Sequence, residues 1–219
     1  SNLSAIVPKT IADDVTLYNG RRYLIPLGYH YVGLFYNPKT LAKAKIERVP
    51  RTWNDFITAC KKLRRAGVTP IALGSKYSWP AQFWFDYLVL RTAGPDYRAR
   101  LMKGAAAYTD PQVEKVMALW KELTDEEFFN PSANSETWTA AADKVSSGEA
   151  AMTLMGTWIT GYWNGKGLKE VTDYDFFEFP TIEKQVQKTS LGPMDGLLIS
   201  RNAPNADAAH KLAAFMLAN

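Results

Sequence analysis

Strand-length apolar runs alternate with helical periodicity along the chain, and this alternation limits the possible folds more than any other feature. The runs TPIALG (69–74) and AAMTLM (150–155) are short and apolar, which predicts buried strands. Around them, apolar residues recur every three or four positions, which predicts amphipathic helices. Because helices and strands that alternate in this way pack in layers, the predicted fold class is α/β.

Capping residues and periodicity predict the helices. Pro38 begins a short helix over 39–44, Thr52 caps the next one, and Pro80 begins an apolar helix that runs to Ala93. Further helices are predicted from Asp110, from Ser135 and over 207–217. The residues predicted to form buried helix faces are Trp53, Phe56, Ile57, Cys60, Leu63, Val113, Val116, Met117, Trp120, Leu123, Trp138, Ala141, Ala142 and Val145.

Three other segments read as strands. The stretch 16–37 is rich in β-forming residues and contains Asn19-Gly20, a signal for a two-residue hairpin turn. YDFFEFP (174–180) predicts one strand, and SLGPMDGLLIS (190–200) predicts a long strand interrupted by a bend at GPMDG.

Charge and residue counts exclude several classes of protein. The 26 basic and 22 acidic residues give a net charge of +4, so nucleic-acid binding is not predicted. With Cys60 as the only cysteine and two histidines, neither a disulfide nor a cysteine- or histidine-rich metal centre is expected, and no cofactor is predicted. No apolar run approaches the roughly 20 residues needed to cross a bilayer, and no signal peptide is evident.

Catalysis finds little support in the sequence. The acidic groups, Asp13-Asp14, 125–127, Asp173 and Asp175, fall in predicted turns or helix ends, where carboxylates are ordinarily solvated. No nucleophile elbow, phosphate-binding glycine loop or zinc motif is present. A glycosidase stays open as an alternative, because the sequence does not show which carboxylates face each other.

Two of the seven tryptophans differ from the others in position. Trp79 lies between a predicted strand and a helix, and Trp158 follows the strand 150–155 after a glycine. Ligands of α/β folds bind beyond the carboxyl ends of strands. Asp195 lies in the glycine-flanked bend, an unusual place for a charge. An aromatic face and a carboxylate acceptor together suit a sugar, whose C–H groups lie on the ring while its hydroxyls donate to the carboxylate.

The order of segments resembles the extracellular solute-binding proteins of bacterial ABC transporters, in the sugar-binding group that includes maltose-binding protein. The resemblance covers residues 16–218, and SGEAAMTLMGTWITGYW is its most specific part. The other matching segments are YNGRRYLIPLGYHYVGLFYN, VPRTWNDFITACKKLRRAGVTPIAL, SWPAQFWFDYLVLRTAGPDY, YTDPQVEKVMALWKEL, FFEFPTI and GPMDGLLISRNAPNADAAHKLAAFML.

This resemblance implies a type II periplasmic-binding-protein-like fold, in which two α/β lobes close on a sugar. It assigns residues 29–190 to the C-terminal ligand-binding lobe. Residues 1–28 would belong to the end of the N-terminal lobe and the hinge, and 191–219 to the return crossing and a fragment of the N-terminal lobe. Family members are about twice as long, so the chain is expected to be partial.

The resemblance also implies a set of ligand-binding residues. Trp158 is the expected stacking ring, and Asp195 the expected acceptor of sugar hydroxyls. The other candidates are Lys76, Tyr77, Trp79, Tyr31 and Met194, although Tyr31 and Met194 could equally serve in hinge packing. Many relatives carry an aromatic residue where Val32 stands, so that subsite is expected to differ here.

The predicted function is therefore a non-enzymatic, monomeric receptor that delivers a sugar or oligosaccharide to ABC permease membrane subunits. Its expected location is extracytoplasmic, either periplasmic or as a lipoprotein anchored outside the cytoplasmic membrane. Two alternatives remain: a binder of a non-sugar solute such as a peptide or polyamine, and a glycoside-active enzyme. A polyamine site should contain several carboxylates, whereas Asp195 is the one good candidate.

Overall fold

The computed structural model describes residues 16–218, and the chain divides into two compact units. The larger unit spans Tyr31–Leu191, and the described residues of the smaller unit are 16–30 and 192–218. The domain boundaries predicted from the resemblance stay a prediction. Asp13 and Asp14 lie outside the described residues.

The described elements are eight strands and eight helices. In chain order the strands are β1 (Leu17–Tyr18), β2 (Arg21–Arg22), β3 (Ile25–Tyr29), β4 (Val32–Tyr36), β5 (Thr69–Ile71), β6 (Ala150–Gly156), β7 (Asp175–Phe177) and β8 (Met194–Leu197). The helices are α1 (Pro38–Lys43), α2 (Trp53–Arg65), α3 (Trp79–Thr92), α4 (Gly94–Met102), α5 (Pro111–Asp125), α6 (Trp138–Ser147), α7 (Trp158–Asn164) and α8 (Ala206–Ala218).

The larger unit is built on a mixed sheet with the strand order β5-β6-β4-β7. Strand β5 is parallel to β6, whereas β4 is antiparallel to both β6 and β7. Every residue of β6 is buried, including Thr153, as its mostly apolar run predicts. Helices cover this sheet, and the predicted α/β class is confirmed.

The core lies on both faces of this sheet. Leu34 and Leu154 belong to a buried cluster that includes residues of α2, α3 and α5. Phe35 and Met155 belong to a second cluster, with residues of α6 and α7. Since successive strand residues point to opposite faces, the sheet is packed between two helical layers.

Two helix predictions need correction. Helix α6 begins at Trp138 rather than Ser135, because Thr137 is its N-cap and its hydroxyl accepts a hydrogen bond from the Ala140 amide. Met117 was predicted to be buried but is 50% exposed. It is rotated by about 100° from the buried Val116, which turns it away from the core-facing side of α5. Thr52 caps α2 as predicted, because its hydroxyl accepts a hydrogen bond from the Asp55 amide.

The strand predictions were right in place and partly wrong in extent. Asn19 and Gly20 form the predicted hairpin turn, with φ of 50° and 73°, between the paired strands β1 and β2. The segment 174–180 contributes only the three residues of β7.

The segment 190–200 differs most from its prediction. Residues 194–196, expected to lie in the bend, belong instead to the strand β8, which pairs antiparallel with β3. A Cβ added to Gly196 would lie 2.5 Å from the Leu24 side chain, so this glycine permits a close approach rather than a bend.

Cys60 lies in the core on α2 and is fully buried, as predicted. Burial raises the pKa of its thiol, so little thiolate is available. We expect the folded protein to resist a thiol-disulfide reagent at pH 8 and to react with one equivalent after denaturation. Cys60→Ser should abolish the reaction in denaturant, whereas rapid reaction of the folded protein would contradict this placement.

Candidate functional site

Trp158 is positioned by the junction between β6 and α7. The strand ends at Gly156, and α7 begins at Trp158. A Cβ added to Gly156 would lie 2.0 Å from carbon Cζ3 of the indole, so the Trp158 ring lies directly against this glycine. Trp158 is half-buried. The glycine therefore determines where the indole ring can lie.

The loop after β5 is held by the segment that precedes α6. The Ser75 amide donates to the Ala133 carbonyl at 2.7 Å, and the Lys76 amide donates to the Glu136 carbonyl at 2.9 Å. A Cβ on Gly74 would lie 2.0 Å from the Thr137 carbonyl oxygen. These contacts set the direction in which the loop enters α3 at Trp79.

Trp79 and Trp158 meet, although 78 intervening positions separate them in the sequence. Their ring centroids are 5.8 Å apart, and Phe83 lies 5.6 Å from Trp79 and 6.2 Å from Trp158. We call these three residues the aromatic cluster. Because β5 and β6 are parallel, the cluster lies at the edge of the sheet where both strands end. Phe83 was missed from the sequence, although its spacing of four residues from Trp79 on α3 placed it on the same helix face.

Lys76 and Tyr77 lie beside the cluster and face solvent. Tyr77 is 63% exposed, and the Lys76 ammonium lies 5.7 Å from the centre of its ring. Both can therefore contact a solute that approaches Trp79 from outside.

Tyr31 occupies a different environment from the aromatic cluster. Its ring packs where a Gly33 side chain would stand, and its centroid is 6.1 Å from that of Phe176. Its hydroxyl is buried and has no hydrogen-bond partner among the described residues. The next residue, Val32, is fully buried, and its carbonyl accepts a hydrogen bond from Tyr87.

Met194 and Asp195 lie on β8 in the smaller unit. Met194 pairs with Tyr29 and is half-buried. The Asp195 side chain is 74% exposed, and one carboxylate oxygen lies 3.1 Å from Nε2 of His30. His30 was not predicted from the sequence, since only the pairing of β3 with β8 brings it near this carboxylate.

The remaining aromatic residues of α7 have structural roles. The aliphatic Ile159 of the same helix is fully buried. Trp163 is also fully buried, and its indole nitrogen donates to the Ala142 carbonyl. Tyr162 is only half-buried, and its hydroxyl lies 3.1 Å from both carboxylate oxygens of Asp143.

Within residues 16–218, no three histidine, cysteine, aspartate or glutamate side chains gather closely enough to hold a metal ion. No helix in that range has both the length and the apolar character needed to span a membrane.

Comparison with known proteins gives these features a context. The chain matches the bacterial extracellular solute-binding proteins from residue 1 to residue 219. The chain belongs to this family. Membership confirms the resemblance found in the sequence, and the family consists of binding proteins that act outside the cytoplasm.

Individual solute-binding proteins show the extent of the similarity. An ABC transporter extracellular-binding protein of Pyrococcus horikoshii is 34% identical over 79% of this chain and 39% of its own length. The solute receptor AcbH, which prefers β-D-galactopyranose exclusively, is 32% identical with a TM-score of 0.74 over 98% of this chain and 54% of its own. A chitin oligosaccharide binding protein is 28% identical with a TM-score of 0.83, covering 93% and 52%. The chain thus spans about half the length of these relatives.

Proposed function

We propose that this chain forms the main ligand-binding part of the substrate-binding component of an ABC transporter, and that its ligand is a sugar or oligosaccharide. The observation that carries the proposal is the contact of Trp79 with Trp158 at the ends of two parallel strands. Both rings are half-buried, so each keeps some surface for a ligand while the protein fixes its orientation.

The aromatic cluster suits a pyranose ring for a chemical reason. The C–H groups of a pyranose form apolar patches that pack on an indole face, and release of water from both surfaces favours the contact. Lys76 and Tyr77 would supply polar contacts to hydroxyl groups near the same rings.

Tyr31, Met194 and Asp195 remain proposed ligand residues from the family resemblance. The exposed Asp195 carboxylate is able to accept hydrogen bonds from sugar hydroxyls.

The relatives support a sugar as the ligand. The names of AcbH and of the chitin oligosaccharide binding protein identify carbohydrates, and both proteins match nearly the whole chain. In this proposal the protein is a monomeric receptor without enzymatic activity, located in the periplasm or anchored as a lipoprotein. It delivers its sugar to the membrane subunits of the permease. Residues 29–190 act as the C-terminal ligand-binding lobe, and the flanking segments as hinge and N-terminal lobe.

Calorimetric titration of the purified protein with sugars tests this proposal. The panel contains galactose, xylose, N-acetylglucosamine, and xylo- and chito-oligosaccharides of two to six units. We expect saturable one-to-one binding of at least one member, and a stabilisation of about 2.7 kcal/mol when that sugar is present at 100 times its Kd. Spermidine and a mixture of short peptides serve as comparison ligands.

Two results would contradict the proposal. Binding of spermidine or a peptide, with no response to any sugar, would indicate a receptor for another class of solute. Release of reducing sugar from an oligosaccharide by the purified protein would indicate a glycoside-active enzyme.

A further inference from the structure

A shallow groove on the outer side of α3 continues from the aromatic cluster. It has a volume of about 540 Å³, and Trp79 is one of its walls. Its lining also includes Tyr77, Gln82, Phe85, Tyr108 and Trp120. We call this surface the outer groove. Because Trp79 also contacts Trp158, the groove and the aromatic cluster share one ring and form a continuous surface.

The outer groove presents aromatic faces to solvent. Tyr77 and Tyr108 are 63% and 62% exposed, respectively. Tyr108 stacks on Phe85, with ring centroids 6.0 Å apart and planes inclined by 22°, so its orientation is fixed although its side chain is exposed. Phe85 and Trp120 are half-buried and pack against the core, which gives the groove a rigid floor.

The polar side chains that line the groove are uncharged. Gln82 is exposed, and its amide nitrogen lies 3.5 Å from a carboxylate oxygen of Asp86. Asp86 is itself buried and paired with Arg98 through two hydrogen bonds of 2.9 Å. This pairing neutralises the carboxylate beneath Gln82. None of the described residues that line the groove carries a charge.

We propose that the outer groove binds the further sugar units of an oligosaccharide whose first unit rests on Trp158. The inference depends on the proposed function, because it extends the same site. Exposed aromatic faces and a neutral amide suit an uncharged carbohydrate, whereas a polyamine or charged peptide would gain no ion pair in this groove. The preferred ligand is therefore an oligosaccharide rather than a monosaccharide, and Trp79 is the ring between the first and second units.

Titration of the protein with a length series tests the groove separately from the cluster. The probes are xylose with xylo-oligosaccharides of two to six units, and N-acetylglucosamine with the corresponding chito-oligosaccharides. We expect affinity to rise with length in one of the series. Tyr108→Ala should reduce affinity for the longest bound member about tenfold and leave affinity for the shortest within twofold. Gln82→Leu should act in the same direction with a smaller loss.

Two variants serve as controls for this test. Tyr108→Phe keeps the stacked ring and should preserve the gain of affinity with length. Tyr23→Ala removes a tyrosine of similar exposure, 57%, that does not line the groove, and it should leave the dependence on length unchanged. Because Tyr108 is exposed, its loss is not expected to prevent folding.

The outcomes separate the two proposals. If wild type binds a monosaccharide and gains nothing with length, or if Tyr108→Ala leaves the gain intact, the groove proposal is wrong and the proposed function stands. If wild type binds neither galactose nor any sugar of the two series, the proposed function is wrong as well.

Discussion

Replacing Trp158 with alanine is expected to weaken sugar binding about 30-fold, or about 2 kcal/mol, the loss typical of a central aromatic contact. The ring lies against Gly156 and touches Trp79 and Phe83, so its removal takes away the central aromatic face of the proposed site. Titration calorimetry with the sugar that binds wild type best measures the effect. The melting temperature of the variant, recorded without sugar, shows whether the fold is retained.

Conservative replacements of Trp158 distinguish stacking from loss of volume. Trp158→Phe keeps a flat ring and should retain most of the affinity. Trp158→Leu keeps apolar bulk without the flat face, and it should behave like the alanine variant. If Trp158→Ala and wild type bind the sugar equally, the sugar does not rest on this ring and the assignment of Trp158 fails.

Replacing Gly74 with alanine is expected to destabilise the protein by about 3 kcal/mol, the upper part of the usual range for overpacking. The added Cβ would lie 2.0 Å from the Thr137 carbonyl oxygen and 2.8 Å from the Trp138 amide nitrogen. Both are backbone atoms, so no side-chain rotation can relieve the clash. In a domain of this size the melting temperature should fall by roughly 6–12 °C, measured by calorimetry.

Gly161→Ala is the matched control for this change. Gly161 lies inside α7, and a Cβ there would meet no atom within 4 Å. Alanine has the higher helix propensity, so this variant should be unchanged or more stable by up to about 1 kcal/mol. Equal melting temperatures for Gly74→Ala and wild type would contradict this expectation, because they would show that the loop before α3 can shift away from α6 at little cost.

Short-range patterns predicted most of the fold. The short, mostly apolar runs identified β5 and β6, and a capping side chain located the start of α2. Helical spacing placed Phe56, Cys60 and Leu63 in the core, where the structure has them. These predictions succeed because periodicity and capping depend on residues a few positions apart.

Two of the errors arose where distant segments decide the conformation. Glycine and proline around Met194 suggested a bend, yet pairing with β3 makes this segment a strand. Met117 has the spacing of a core residue, but the packing partners of α5 leave it at the edge of the buried face. Neither outcome depends on local sequence, since β-pairing and helix packing are set by partners far along the chain.

The sequence by itself determined the α/β class, the family and the two tryptophans of the candidate site, because periodicity and the order of segments are properties of the chain. Only the tertiary structure decided how those tryptophans are arranged. It brought Trp79 and Trp158 into contact, buried Trp163, and joined Tyr77 to Tyr108 in one groove. The physical reason is that the parallel pairing of β5 with β6 and the packing of α3 against α5 bring together residues that no local pattern connects.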